Sequence, residues 1–195
     1  MLSKLETRLN PVAMPTSRRR FLAGSAAVAG GLMIGLKVSP VGAASDSETA
    51  KEFPNPLTGY IHITPDNKVT VLSSQFDMGQ GPYHGLATLV VEELGADWSQ
   101  IEVVGAAGNP KLYGNLLWGG AIQGTGGSTS IATSFDRYRQ AGAVAREMLV
   151  AAAADEWGVP GPKIKVAGGR LSHSSGNSAS FGDMAAKAAT MPVPQ

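Results

Sequence analysis

Two short stretches combine a freely bending backbone with hydrogen-bonding side chains: Met78-Gly79-Gln80-Gly81 and Gln123-Gly124-Thr125-Gly126-Gly127-Ser128-Thr129-Ser130. Each is irregular, and each leads into a run with helical periodicity. Glycines permit left-handed backbone and close approach by a ligand. A helix N-terminus adds unpaired N–H groups and a partial positive charge. Ser and Thr hydroxyls can donate further hydrogen bonds to phosphate oxygens. Two such turns could hold an extended, phosphate-bearing ligand from two directions, through Gly79, Gln80 and Gly81 on one side and Thr125 to Ser130 on the other. The plainer reading stands beside this one: a glycine-rich turn can be only a turn, and Ser128 and Thr129 are ordinary helix N-cap residues. Neither stretch fits Gly-x-x-x-x-Gly-Lys-Ser/Thr, and neither fits Gly-x-Gly-x-x-Gly followed by an acidic residue about 20 positions later.

Other chemistry is scarce. His62, His84 and His173 fall in a strand, at a helix start and in a hairpin, without metal-ligand spacing, and are read as structural or solvated. Glu92 and Glu93 adjoin on a helix and read as a solvated face. No catalytic residue and no protein metal ligand is assigned. The chain has no cysteine, which excludes disulfides, thiolate chemistry and Cys-held iron–sulfur clusters from these residues.

The turns sit among elements of both kinds. Tyr60–Thr64 and Lys68–Ser74 alternate at period two around a Pro-Asp-Asn turn, a β-hairpin signal. Tyr83–Leu94 is helical, with Leu86, Leu89, Val90 and Leu94 on one face and Gly95 as a stop. A short strand is expected around Ile101–Val104. Asn109–Gly127 is a long loop with little periodicity, and ordered loops of that length are commonly functional. Ser128–Trp157 forms one long helix with an apolar stripe of Ile131, Phe135, Tyr138, Ala141, Ala145, Met148, Leu149 and Ala152, ended by Gly158 and Pro160. Lys163–Ser174 is a second hairpin turning at Gly168-Gly169. Ser180 and Asp183 form a capping box opening a last helix. Strands and helices mix without a repeated βαβ unit, so the class is α+β: mixed sheet and hairpins with one long helix, preceded by a signal helix.

That signal helix is read from residues 1–44. Of the chain's 16 basic and 15 acidic side chains, this segment holds six basic and one acidic, a net +5, leaving −4 for residues 45–195. A mildly acidic body excludes non-specific nucleic-acid binding, which needs clustered Lys and Arg. Ser17-Arg18-Arg19-Arg20-Phe21-Leu22 matches the twin-arginine export signature. The uncharged stretch Phe21–Leu36 would span about 24 Å as a helix, short of the ~30 Å hydrocarbon core. Small residues at Gly42, Ala43 and Ala44 suit a signal peptidase, with retention as an uncleaved anchor the alternative. Residues 45–59 are a Pro-rich linker, and residues 60–195 are the body. The expected location is the periplasm, reached folded and around a cofactor, with a membrane anchor if the signal is kept.

"MGQGPYHGLATLVVEELGADWSQIEVV" followed by "QGTGGSTSIATSFDRYRQAGAVAREMLVAAAADEWGV" resembles the molybdenum-binding large subunits of the xanthine dehydrogenase/aldehyde oxidase superfamily. The nearest branch is the isoquinoline 1-oxidoreductase beta subunit and its membrane-associated aldehyde dehydrogenase relatives. The resemblance runs from about Asn55 to Thr190. It implies molybdopterin, in this branch the cytosine dinucleotide, with molybdenum held by the pterin and not by protein. It places Gln80 beside the cofactor, and Thr125, Gly127, Ser128 and Ser130 against the pterin and its phosphates, with Gly79, Gly81, Gly126 and Thr129 as their neighbours. The implied reaction is hydroxylation of an aldehyde or N-heterocycle with water-derived oxygen, with electrons leaving through a small [2Fe–2S] subunit and a cytochrome c. Residues 60–195 then form part of a molybdopterin-binding domain. The family's catalytic glutamate lies in a region with no counterpart among these residues, so the chain is expected to be a portion of a large subunit, inactive alone and completed by the remainder. The competing reading is a non-catalytic exported binding or assembly module that kept the fold without the cofactor.

Overall fold

The computed structural model describes residues 32–34 and 59–194. Strands β1 (Leu32–Ile34), β2 (Ile61–Ile63), β3 (Val69–Ser73) and β4 (Ile101–Gly105) form one sheet in that order. β2 and β3 are the expected hairpin. Their turn is closed by Thr64 N–H to the Lys68 carbonyl at 3.0 Å, with Asn67 in left-handed conformation at φ 67°, which an Asn tolerates better than most side chains. Alternate residues Ile61, Ile63, Val69 and Val71 point into the core, the period-two consequence of a sheet covered on one face.

Helix α1 (Pro82–Leu94) connects β3 to β4, and those strands pair in parallel, Val69 opposite Ile101 and Ser73 opposite Gly105. A single βαβ crossover therefore lies inside the α+β fold, a pairing that period-two patterning cannot announce. After it come a single helical turn, α2 (Pro110–Tyr113), and the 28-residue helix α3 (Ser130–Trp157). A second, antiparallel sheet follows: β5 (Lys165–Ala167), β6 (Arg170–Ser172) and β7 (Ser178–Ser180). Helix α4 (Phe181–Ala188) closes the described chain, with the Ser180–Asp183 capping box in place.

Helix α3 is the spine. It packs along α1 and against α4. The approach to α1 depends on Gly142, where a Cβ would stand 2.8 Å from the Val90 carbonyl oxygen. Across this contact Arg139 pairs with Glu93 at 2.5 Å. Glu93 is thus not simply part of a solvated face. The stripe from Tyr138 to Ala152 is buried as expected, whereas Ile131 and Phe135 at the start of the helix are 38% and 40% exposed. Tyr60, Tyr113 and Tyr138 meet edge-to-face, with centroids 5.5 and 5.0 Å apart, and join hairpin, α2 and α3 at the end of the core nearest the glycine-rich turns.

The leader reading meets the described residues at one place. Leu32–Ile34, within the stretch read as a signal helix, are extended and pair antiparallel with β2, Leu32 opposite Ile63 and Ile34 opposite Ile61. Those three residues are strand, not helix. The twin-arginine motif, the small residues 42–44 and the linker up to residue 58 lie outside the described residues. Among the described residues, no helix is long and apolar enough to cross a membrane.

Candidate functional site

The first glycine-rich turn follows β3 and runs straight into α1. Gly79 and Gly81 take φ of 100° and 83°, and both are exposed with Gln80. The turn already holds an anion of its own. The Asp77 carboxylate accepts from Gly79 N–H at 2.8 Å, Gly81 N–H at 3.4 Å and Tyr83 N–H at 3.2 Å. Pro82, at the first helical position, has no N–H to offer. The N–H groups at the start of α1 are therefore met by Asp77, five residues ahead of the helix. Gln80 also turns inward: its Oε1 accepts from Met78 N–H at 2.6 Å and its Nε2 donates to the Phe76 carbonyl at 2.8 Å.

The Gly79 N–H, followed by those of Tyr83 and Gly81, holds the Asp77 carboxyl below its ordinary pKa. A depressed carboxylate contributes stability above its unfolded value of about 3.9 and loses it as pH falls through the folded value. Asp77→Asn is expected to lower the urea midpoint at pH 7, with the difference from wild type starting to shrink as pH falls past about 3.9 and closing only below the depressed folded value, where both side chains are uncharged.

The second turn is built differently. Asn115 is fully buried. Its N–H donates to the Ile122 carbonyl at 2.8 Å, closing an eight-residue loop, and its Nδ2 reaches Thr129 Oγ1 at 2.7 Å. Thr129 Oγ1 in turn donates to the Gly126 carbonyl at 2.8 Å. Thr129 is the N-cap of α3, yet its hydroxyl is spent on this bracing and makes no capping bond. Ser128 is left-handed at φ 56°. No hydrogen bond joins the Ser128 or Ser130 hydroxyl to another group among the described residues. A 28-residue helix thus begins with no side-chain cap and with its first-turn N–H groups available. The Trp118 ring lies over Gly124 and Gly126: a Cβ on Gly124 would come within 2.8 Å of it.

The two turns meet. Thr125 Oγ1 accepts from Phe76 N–H at 2.8 Å and donates to Gln75 Oε1 at 3.0 Å. Gln123 donates to the Ser74 carbonyl at 3.3 Å and accepts from Asn109 N–H at 2.7 Å. Thr125 thus ties its loop to the Gln75-Phe76 segment ahead of the first turn. Gly127, Ser128 and Ser130 lie at the open start of α3, and Gly79, Gln80 and Gly81 at the start of α1, whose helix end is filled by Asp77. Four apolar side chains in these loops are exposed: Phe76 at 71%, Met78 at 78%, Leu117 at 61% and Ile122 at 60%.

Gln75, Asn115 and Gln123, which organise the two loops, went unrecognised in the sequence. Gln75 has one weak signal: Ser73, Ser74 and Gln75, at and just past the end of β3, are three polar residues buried in succession, where alternation would expose one. The histidines lie apart from one another, His84 stacked on Trp98 at 4.8 Å and His173 bonded to Ser175. An open groove of about 820 Å³ between α3 and β5, lined by Arg146, Glu147, Val150, Ile164 and Val166, is remote from both turns.

Comparison with known proteins follows this geometry. Residues 15–194 match the family model described as molybdopterin cofactor-binding domain. The chain is 32% identical over 178 residues to isoquinoline 1-oxidoreductase subunit beta of Brevundimonas diminuta, covering 90% of this chain and 22% of that protein. It is 35% identical over 130 residues to the membrane-bound aldehyde dehydrogenase [pyrroloquinoline-quinone] of Gluconacetobacter polyoxogenes, covering 67% of this chain and 16% of that protein. Among solved structures, quinoline 2-oxidoreductase from Pseudomonas putida 86 matches with a TM-score of 0.47 at 20% identity, over 68% of this chain and 16% of that one. The chain therefore spans less than a quarter of the length of the curated relatives it matches. With a family model covering nearly all of it, the chain belongs to the molybdopterin cofactor-binding domain family.

Proposed function

We propose that the paired loops hold molybdopterin in its cytosine dinucleotide form, as part of an exported molybdenum hydroxylase acting on an aldehyde or an N-heterocycle. The carrying observation is the open N-terminus of α3, where the Thr129 hydroxyl is diverted and those of Ser128 and Ser130 are unpaired among the described residues. The residues fit the group. An uncapped helix end with Ser128 and Ser130 beside it suits phosphate oxygens, and a cofactor that carries its own sulfur ligands asks for no cysteine. Gly127 lets the backbone approach the ligand, with Gly126 and Thr129 bracing behind it. Thr125 and Gln80 flank the ligand, Gln80 after releasing Met78 and Phe76. Bound there, the cofactor would supply the two-electron acceptor for a hydroxylation that uses water-derived oxygen. The chain's own part is binding and orientation, since no group in the site is placed as a general base.

The partners that follow from this reading are the remainder of a large subunit, a small [2Fe–2S] subunit and a cytochrome c, in the periplasm after twin-arginine export, with the leader cleaved or kept as an anchor. The name of one relative carries pyrroloquinoline quinone, so the test must identify the cofactor. The complex is purified from its host and assayed for molybdenum, for CMP released by acid, and for quinone. Equimolar molybdenum and CMP are expected. The Ser128→Ala/Ser130→Ala chain should retain both about tenfold less well, because each hydroxyl removed is a donor to a charged oxygen. Absence of both molybdenum and CMP from the assembled complex would overturn the reading and favour the non-catalytic module.

A further inference from the structure

We propose that Gln75 is a positioning residue whose carboxamide, by turning over, switches the Thr125 hydroxyl from a donor facing the protein to a donor facing the ligand. The inference rests on the reading of these loops as a phosphate-bearing cofactor's site, and it adds a device for loading that site.

Gln75 is 1% exposed, two residues past the end of β3. Its Oε1 accepts the Thr125 hydroxyl proton at 3.0 Å, and its Nε2 is buried with no partner. A buried amide N–H without an acceptor costs about 1–3 kcal/mol, a cost that a water taken up beside it would relieve. Beside Gln75 lies a cavity of about 10 Å³, also lined by Ser73, Tyr83, Gly105 and Gln123. It is large enough for a single water, and it gives the far end of the carboxamide room to change its partner.

A hydroxyl has one proton and two lone pairs, which makes the switch two-valued. In the arrangement described, Thr125 Oγ1 accepts from Phe76 N–H at 2.8 Å and gives its proton to Gln75. It has no donor left for a ligand. A half-turn of the carboxamide, whose oxygen and nitrogen are nearly equal in size, puts Nε2 where Oε1 stood. Thr125 Oγ1 then accepts from both Phe76 and Gln75. Both lone pairs are filled, and the proton must point away from them, toward the space between the loops. The same movement gives Nε2 its missing acceptor and turns Oε1 to the cavity, where a water or the Tyr83 hydroxyl can donate to it. An anionic ligand oxygen above Thr125 would favour the turned state, and an empty site the inward one. Thr125 would thus be a donor only when there is something to receive it.

The two states make unequal demands on residue 75. Gln75→Glu in its carboxylate form offers acceptors alone and holds the Thr125 proton inward. Gln75→Met offers neither acceptor nor donor and leaves that proton free. Binding of inorganic pyrophosphate and of cytidine diphosphate to the full chain is measured by calorimetry at pH 8. Gln75→Glu should weaken binding about tenfold or more, and Gln75→Met by less than about threefold. In a Thr125→Val background, Gln75→Glu should add less than twofold. Equal losses in the two single variants, or an undiminished Gln75→Glu effect without the Thr125 hydroxyl, would overturn the switch while leaving the phosphate site standing. Failure of the wild-type chain to bind either probe would overturn both. Should a variant not fold, the wild-type chain decides alone: the Gln75 side-chain amide resonances should shift on saturation with pyrophosphate, and unchanged resonances would refute the proposal.

Discussion

Tyr138→Ala is expected to lower the unfolding free energy of the chain by about 4 kcal/mol, enough to bring a domain of ordinary stability close to its unfolding threshold. Tyr138 has no exposed surface. Its ring stands edge-on to Tyr60 with centroids 5.0 Å apart. Truncating a buried aromatic side chain costs about 3–5 kcal/mol through lost contacts and the cavity left behind. The hydroxyl adds to this. It donates to the Leu72 carbonyl at 2.7 Å and accepts from Ser74 N–H at 2.6 Å. Alanine leaves both of these backbone groups without partners. Burial also raises the pKa of this hydroxyl far above the ordinary tyrosine value, so it stays protonated, and its two hydrogen bonds intact, across any pH at which the fold survives. Urea titration of wild type, Tyr138→Ala and Tyr138→Phe checks the argument. Phenylalanine should keep the packing and forfeit about 1–3 kcal/mol for the hydrogen bonds alone. Because Ser74 immediately precedes Gln75, the phenylalanine chain should also bind pyrophosphate less well than its stability alone would suggest. A Tyr138→Ala chain within about 1 kcal/mol of wild type would mean that α3 is not the spine described here.

The features legible in the sequence are those whose causes are local. The Pro65-Asp66-Asn67 turn, the Gly95 and Gly158 helix stops and the Ser180–Asp183 capping box each lie where the chemistry of three or four neighbouring residues puts them. The illegible features depend on which segments meet. Ile131 and Phe135 belong to the apolar stripe of α3, yet a stripe records only that a face is apolar. Ile131 even lies against α1, its Cδ1 2.8 Å from where a Cβ on Gly85 would stand, and is still partly exposed, because the 28-residue α3 outruns the 13-residue α1 and nothing among the described residues covers the rest of that face. Parallel pairing of β3 with β4 and the three-residue strand β7, Ser-Ala-Ser, carry no apolar alternation to mark them. The site shows the same division. Two glycine-rich helix starts look equivalent as sequence, and the structure makes them unlike: Asp77 fills one from within, while Asn115 draws the Thr129 hydroxyl off the other. No spacing rule could find a buried Asn 14 positions from the threonine it holds.

Gly114 carries the sharpest consequence of such long-range placement. Its backbone is ordinary, φ −53° and ψ 139°, and any residue could adopt it. The constraint is space. A Cβ there would stand 1.8 Å from the Gly120 carbonyl oxygen and 2.6 Å from that of Pro110. Both obstacles are backbone, so no rotamer change relieves them. Gly114→Ala must force the Asn115–Ile122 loop away from α2, and with it the bonds from Asn115 N–H to Ile122 and from Gly120 N–H to Asn115, each 2.8 Å. Arg137, which donates to the Gly114 carbonyl at 2.9 Å, loses its place as well. Overpacking of this kind costs about 1–3 kcal/mol and more where the backbone must move, so a loss of about 3 kcal/mol is expected by urea titration. The loss should not stay local. Once Asn115 shifts, its Nδ2 no longer holds the Thr129 hydroxyl, which is then free to cap α3, the role its position as N-cap invites. The variant should therefore fail to bind pyrophosphate even at temperatures where it remains folded, because the open end of α3 closes on its own side chain. Thr129→Val in the same background removes the intruding hydroxyl and should return part of the binding without returning stability. Undiminished binding in Gly114→Ala would separate the Asn115 loop from the site and leave the open helix end to be explained by the Ser128 conformation alone.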